Sequence, residues 1–137
     1  ESLLEVYPNN AEISNFVGYT LVDRNIRLEE GIDLIKFAVN QEPRNGFFID
    51  SLGWAYYQLG QFTKAVTYLE RAIELEPQEM EITDHLGDAY YKVGRIEEAN
   101  LVWKRALTLR GKPEMLEKIK LKLSNKYYNN DLITSKN

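Results

Sequence analysis

The chain repeats itself with a period of roughly 34 residues, and a period of that length signals stacked units, each burying its apolar face against its neighbours. Nothing else in the sequence constrains the fold as much. Pro8, Pro43, Pro77 and Pro113 fall at nearly equal intervals. Leu52-Gly53 returns one period later as Leu86-Gly87, Tyr56 as Tyr90, Ala65 as Ala99 and Ala72 as Ala106, all in strict register. Within this frame the octet GWAYYQLG at 53–60 comes back as GDAYYKVG at 87–94. A more diverged copy lies upstream, with Val17-Gly18, Gly31, Ala38 and Pro43 in matching places. The step from Gly18 to Gly31 is one residue longer than that from Gly53 to Ala65 or from Gly87 to Ala99. The first copy therefore carries one extra residue near Asn25-Ile26-Arg27.

Each copy reads as two helices. In the middle copy Ile49, Leu52, Tyr56 and Leu59 form one stripe at helical spacing, and Phe62, Ala65, Val66, Leu69, Ala72 and Ile73 form the next. Gly60 and Gly94 fall where the first helix must end, and glycine suits the left-handed cap. Asn25 takes that place in copy one. Pro43 and Pro77 stop the second helices, since proline has no N–H to continue them. Gly53 with Ala65, and Gly87 with Ala99, predict close helix crossings, and Tyr56 and Tyr90 predict core aromatics.

Composition narrows the function classes. Hydrophobic residues at 44% and charged residues at 28% fit an ordinary globular domain, and no apolar run reaches the roughly 18 residues of a membrane span. No cysteine is present, which removes disulfides, thiolate nucleophiles and cysteine-type zinc sites and leaves cytosol and periplasm both open. The net charge is −4; residues 112–137 hold six lysines against three acids, which leaves −7 on residues 1–111. Such an acidic body argues against a nucleic-acid surface. His85 is the only histidine, and no nucleophile or phosphate-loop pattern stands out. Asp84, His85 and Asp88 on one helix offer a thin metal-binding pattern, outweighed by the reading of a solvated face. No enzyme activity and no cofactor are expected. The chain begins at Glu1 without a methionine or signal-like segment, and is expected to be a piece of something longer.

The combination Leu52-Gly53, Tyr56, Ala65, Ala72 and Pro77, repeated as Leu86-Gly87, Tyr90, Ala99 and Ala106, resembles the tetratricopeptide repeat (TPR). Val17 and Leu21 in copy one, and Gly111 where a proline is expected in copy three, depart from that pattern. The resemblance implies an all-α, right-handed helical solenoid of antiparallel helix pairs with a C-terminal capping helix. The expected organisation is a single TPR domain over 1–128: the end of a truncated repeat at 1–10, repeats at 11–45, 46–79 and 80–112, and a cap at 113–128. That cap is amphipathic, with Met115, Leu116, Ile119 and Leu123 on one face. Residues 129–137 are expected to form a loose tail.

The resemblance also implies a concave groove lined by the first helices, at 11–24, 47–59 and 80–93, where family members bind peptides. Residues beside the buried stripe then face the groove: Asn15, Tyr19 and Val22 in copy one; Asp50, Trp54, Tyr57 and Gln58 in copy two; Asp84, Asp88, Tyr91 and Lys92 in copy three. Tyr57 and Tyr91 also suit packing against the next repeat. Exposed indole and phenol rings make efficient anchors, and the carboxylates favour a cationic or amphipathic partner. TPRs that hold chaperone C-termini clamp a carboxylate with lysine, arginine and asparagine; here only Asn15 and Lys92 are of that type. The expected function is a non-enzymatic scaffold or adaptor holding a peptide or partner segment. The alternatives are self-association into homo-oligomers, or an accessory arm of a larger enzyme or assembly. The stretch from Val17 to Gly94 also resembles the late repeats of long bacterial TPR proteins, some of them envelope adaptors. That leaves periplasm, envelope and cytoplasm all open.

Overall fold

The computed structural model describes residues 9–124 of the chain. The expectations for residues 1–8, for the end of the cap at 125–128 and for the tail at 129–137 lie outside the described residues. Seven helices and no strand appear among the described residues: α1 (Ala11–Asp23), α2 (Leu28–Gln41), α3 (Gly46–Gln58), α4 (Phe62–Leu75), α5 (Met80–Lys92), α6 (Ile96–Ala106) and α7 (Pro113–Leu123). They pack as the hairpins α1/α2, α3/α4 and α5/α6. The described helices fall into two compact units, one with α1–α4 and the other with α5–α7, divided after Pro77. The division falls at a repeat boundary, where an array whose repeats chiefly contact near neighbours parts most easily.

The first helices end one residue before the expected positions, because the cap residue itself leaves the helix. Gly60 and Gly94 adopt φ of +81° and +86°, in the left-handed region. The Gly60 N–H donates to the Tyr57 carbonyl at 2.9 Å and the Gln61 N–H to the Tyr56 carbonyl at 2.9 Å. Gly94 and Arg95 repeat this pair of bonds on Tyr91 and Tyr90. This is the double-bonded glycine cap, which satisfies carbonyls the helix would otherwise orphan. Asn25, at φ +57°, builds the same cap in copy one, with Asn25 and Ile26 donating to Val22 and Leu21. The extra residue of that copy is absorbed by Arg27, a second left-handed position at φ +46°. A methyl group at Gly94 would meet nothing within 4 Å, so any penalty there is purely backbone. Gly94→Val is therefore expected to cost about 1–2 kcal/mol in chemical denaturation; an unchanged midpoint would remove the cap from the account.

Glycine also sets the hairpin crossings. A Cβ on Gly53 would lie 2.8 Å from Leu69 Cγ, and a Cβ on Gly87 would run into the Trp103 indole. Leu69 and Trp103 are equivalent positions in successive copies, so one frame position is filled by an isobutyl group in one hairpin and by a fully buried indole in the other. Tyr56 and Tyr90 are buried as expected, and Tyr56 stacks on Tyr68 with ring centroids 5.4 Å apart. Gly111 departs from the repeat pattern because a side chain there would overlap the Met80 thioether.

Candidate functional site

The residues expected to face a ligand separate into two settings. In the first unit, α1 and α3 lie side by side, joined by the Gln58 amide, which donates to the Val22 carbonyl at 3.3 Å. Val22 is fully buried, so its side chain belongs to the core, and Gln58 is engaged in holding the two helices together. Asp50 is buried as well, at 7% exposure, which takes its carboxylate out of an open surface.

What remains partly open is aromatic. Trp54 and Tyr57, three residues apart on α3, stack with ring centroids 4.7 Å apart and planes 9° from parallel. The edge of that stack meets Phe62 at the start of α4, 5.2 Å from Tyr57 and inclined at 68°. Offset-stacked and edge-to-face pairs are the favoured aromatic geometries, so these three rings hold one another in fixed orientation. Tyr19 and Asn15 lie half-buried on α1. The Asn15 Oδ1 is shielded from solvent and has no hydrogen-bond partner among the described residues.

In the second unit the acids are already occupied. Lys122 on α7 reaches α5, where its Nζ donates to Asp84 Oδ1 at 2.8 Å and lies 2.8 Å from Asp88 Oδ1. All three groups are buried, at 4%, 6% and 3% exposure for Asp84, Asp88 and Lys122. The expectation of an acidic surface open to a cationic ligand is corrected here: the cation these carboxylates hold is the chain's own ammonium. No group of three or more potential metal ligands occurs among the described residues. The Lys122 Nζ also sits 5.8 Å from the centre of the Trp103 ring. Tyr91 is half-buried and packs against Trp103 of its own hairpin, with ring centroids 6.1 Å apart, while Lys92 is exposed.

Two carboxylates against one ammonium leave a net negative charge in a buried site. Burial, the largest influence on Lys122, works against its charge. Attraction from Asp88 and then Asp84, with their hydrogen bonds, outweighs it and raises the lysine above its ordinary value. Burial, joined by repulsion from Asp84, raises Asp88 in spite of the pull of Lys122. A lysine with a raised folded-state pKa contributes its stability in full below the unfolded value of 10.5, and loses it as pH rises through the folded value. The melting temperature of the wild-type chain should accordingly fall more steeply above pH 10.5 than that of Lys122→Met; parallel curves would contradict the triad.

Lys122 and Trp103 were not identified from sequence as functional or core residues. A signal for Lys122 existed: it stands three residues after Ile119, on the apolar face of its helix, where a lysine needs a buried partner. Trp103 could have been found from its place in the frame, opposite Gly87.

A family model for the TPR repeat matches residues 53–94. Over 64 residues the chain is 39% identical to the TPR repeat-containing protein PA4667 of Pseudomonas aeruginosa, a match that covers 47% of this chain and 11% of that protein. The chain thus spans only a small fraction of the curated relative it matches. Among solved structures it is similar to the first TPR of Spaghetti (RPAP3) bound to the HSP90 peptide SRMEEVD, with a TM-score of 0.69 and 23% identity over 83% of this chain and 93% of that one. The Arabidopsis OM64 TPR domain superposes with a TM-score of 0.73 at 16% identity, covering 84% and 94% of the two chains. MamA of AMB-1 gives 0.63 at 27% identity, covering 75% and 60%. These likenesses bear out an all-α helical solenoid of the TPR type, and residues 53–94 match the TPR repeat.

Proposed function

We propose that the chain is a non-enzymatic interaction module that holds a partner segment against the Trp54–Tyr57–Phe62 rings of its first unit. The TPR fold is that of protein–protein interaction scaffolds, and one structural neighbour carries a bound peptide. The observation that carries the finer reading is the Trp54–Tyr57 stack, partly exposed and already ordered. Rings fixed before binding offer contact area at little further entropy cost.

The partner that fits is apolar or amphipathic more than strongly cationic, because Asp84 and Asp88 are spent on Lys122 and Asp50 is buried. An acidic peptide with a free C-terminal carboxylate has no basic clamp among these groove residues. SRMEEVD, the peptide of the structural neighbour, is expected not to bind at the aromatic face.

The test is selection of peptides from a displayed library on the purified chain, followed by affinity measurements. Trp54→Ala should weaken a selected peptide by about 2 kcal/mol, roughly thirtyfold. Loss of the stack should lower stability by only about 0.5–1.5 kcal/mol. Unchanged affinity in Trp54→Ala would refute this face as the site.

A further inference from the structure

We infer that the second helices of the first unit carry a separate docking site for a carboxylate-bearing segment of a partner protein. On α2, Lys36 and Asn40 are four residues apart and so share a face; on α4, Tyr68 and Arg71 are three apart and do the same. These four side chains line one open cavity of about 360 Å³, with the buried Leu52 among its walls. Neither Lys36 nor Arg71 has an ion-pair or hydrogen-bond partner among the described residues. By contrast, Arg27, Arg95 and Lys120 are each paired with a glutamate three residues away.

Two unneutralised cations converging on one cavity stand out in a stretch that carries seven net negative charges over residues 1–111. The guanidinium of Arg71 offers a planar fork matched to a carboxylate, Lys36 adds a point charge, and the Asn40 amide can donate as well. The rest of the lining is apolar, with Val39, Pro43 and Leu52. That suits the methylenes of a glutamate and an apolar neighbour in the same segment. Phosphate is less well served, since neither a helix N-terminus nor a glycine loop aims N–H groups at the cavity. The site is built mainly from second helices, whereas Trp54 and Tyr57 sit on a first helix.

The test is an NMR titration of the isotope-labelled chain with three probes: a short acetylated and amidated peptide alternating glutamate with leucine, its glutamine–leucine counterpart, and inorganic phosphate. The expected result is shifts centred on Lys36, Asn40 and Arg71 with the glutamate peptide. The combined Lys36→Glu and Arg71→Glu variant, with its melting curve retained, should bind at least about tenfold more weakly. Trp54→Ala should bind this peptide as the wild type does, which separates this site from the aromatic face. The inference is overturned if the glutamine peptide binds equally well, if phosphate alone binds as tightly, if charge reversal has no effect, or if the shifts centre on Trp54.

Discussion

Lys122→Ala is expected to destabilise the chain by about 3–5 kcal/mol, more than any surface substitution should. The lysine lies 2.8 Å from both Asp84 and Asp88, and all three groups are buried. Removing the ammonium leaves two carboxylates desolvated and repelling one another. Most of the loss is that unpaired charge and not the intrinsic worth of the salt bridges. The decisive comparison therefore neutralises all three positions. Lys122→Met combined with Asp84→Asn and Asp88→Asn should recover most of the stability, because buried ion pairs contribute little net free energy over well-packed neutral groups. Urea denaturation of the single and triple variants reads this directly. A triple variant as unstable as Lys122→Ala would show that packing of α7, not charge, is at stake.

Trp103→Ala should cost a comparable amount, about 3–5 kcal/mol, by opening a cavity where a fully buried indole now sits. The contact with Gly87 adds a sharper expectation. A methyl group on Gly87 would overlap the indole, so Gly87→Ala in the wild-type chain should be destabilising. In a Trp103→Leu background, which copies the Gly53–Leu69 pair of the preceding hairpin, the same Gly87→Ala change meets a flexible side chain. The overlap there is smaller than with the indole but not absent, since a Cβ on Gly53 would lie 2.8 Å from Leu69 Cγ. The change should therefore cost less without becoming neutral. The double-mutant cycle should show a coupling of about 0.5–3 kcal/mol, and simple additivity would contradict the crossing geometry.

The fold was legible because the repeat states each structural rule more than once. Gly60 and Gly94 mark left-handed caps, Asn25 takes the same role in the copy without glycine, and the one-residue excess of copy one appears as Arg27 in a left-handed turn. Side-chain occupancy was much less legible. Spacing alone places Asp84 and Asp88 beside the buried stripe, at the equivalents of Asp50 and Trp54. It cannot reveal that a lysine on the helix after the last hairpin reaches back to both of them. Periodicity likewise predicts that position 103 is internal but not that the hairpin makes room for an indole there. Trp54 was singled out because the fold does not require it, and its stack with Tyr57 accounts for part of its surface while leaving it partly open.

The two tryptophans give the most direct measurement of the central claim, that the repeat frame builds the fold while Trp54 and its ring neighbours contact the partner. Trp103 is fully buried, whereas the Trp54 ring is partly open with its Nε1 shielded. Changes packed against the two rings therefore shift their indole N–H resonances separately, one reporting on the core and the other on the aromatic face. On titration with a peptide selected for binding, the Trp54 indole signal should shift and saturate with the binding curve while the Trp103 signal stays in place. A Trp54 signal that does not move at saturation would contradict the account.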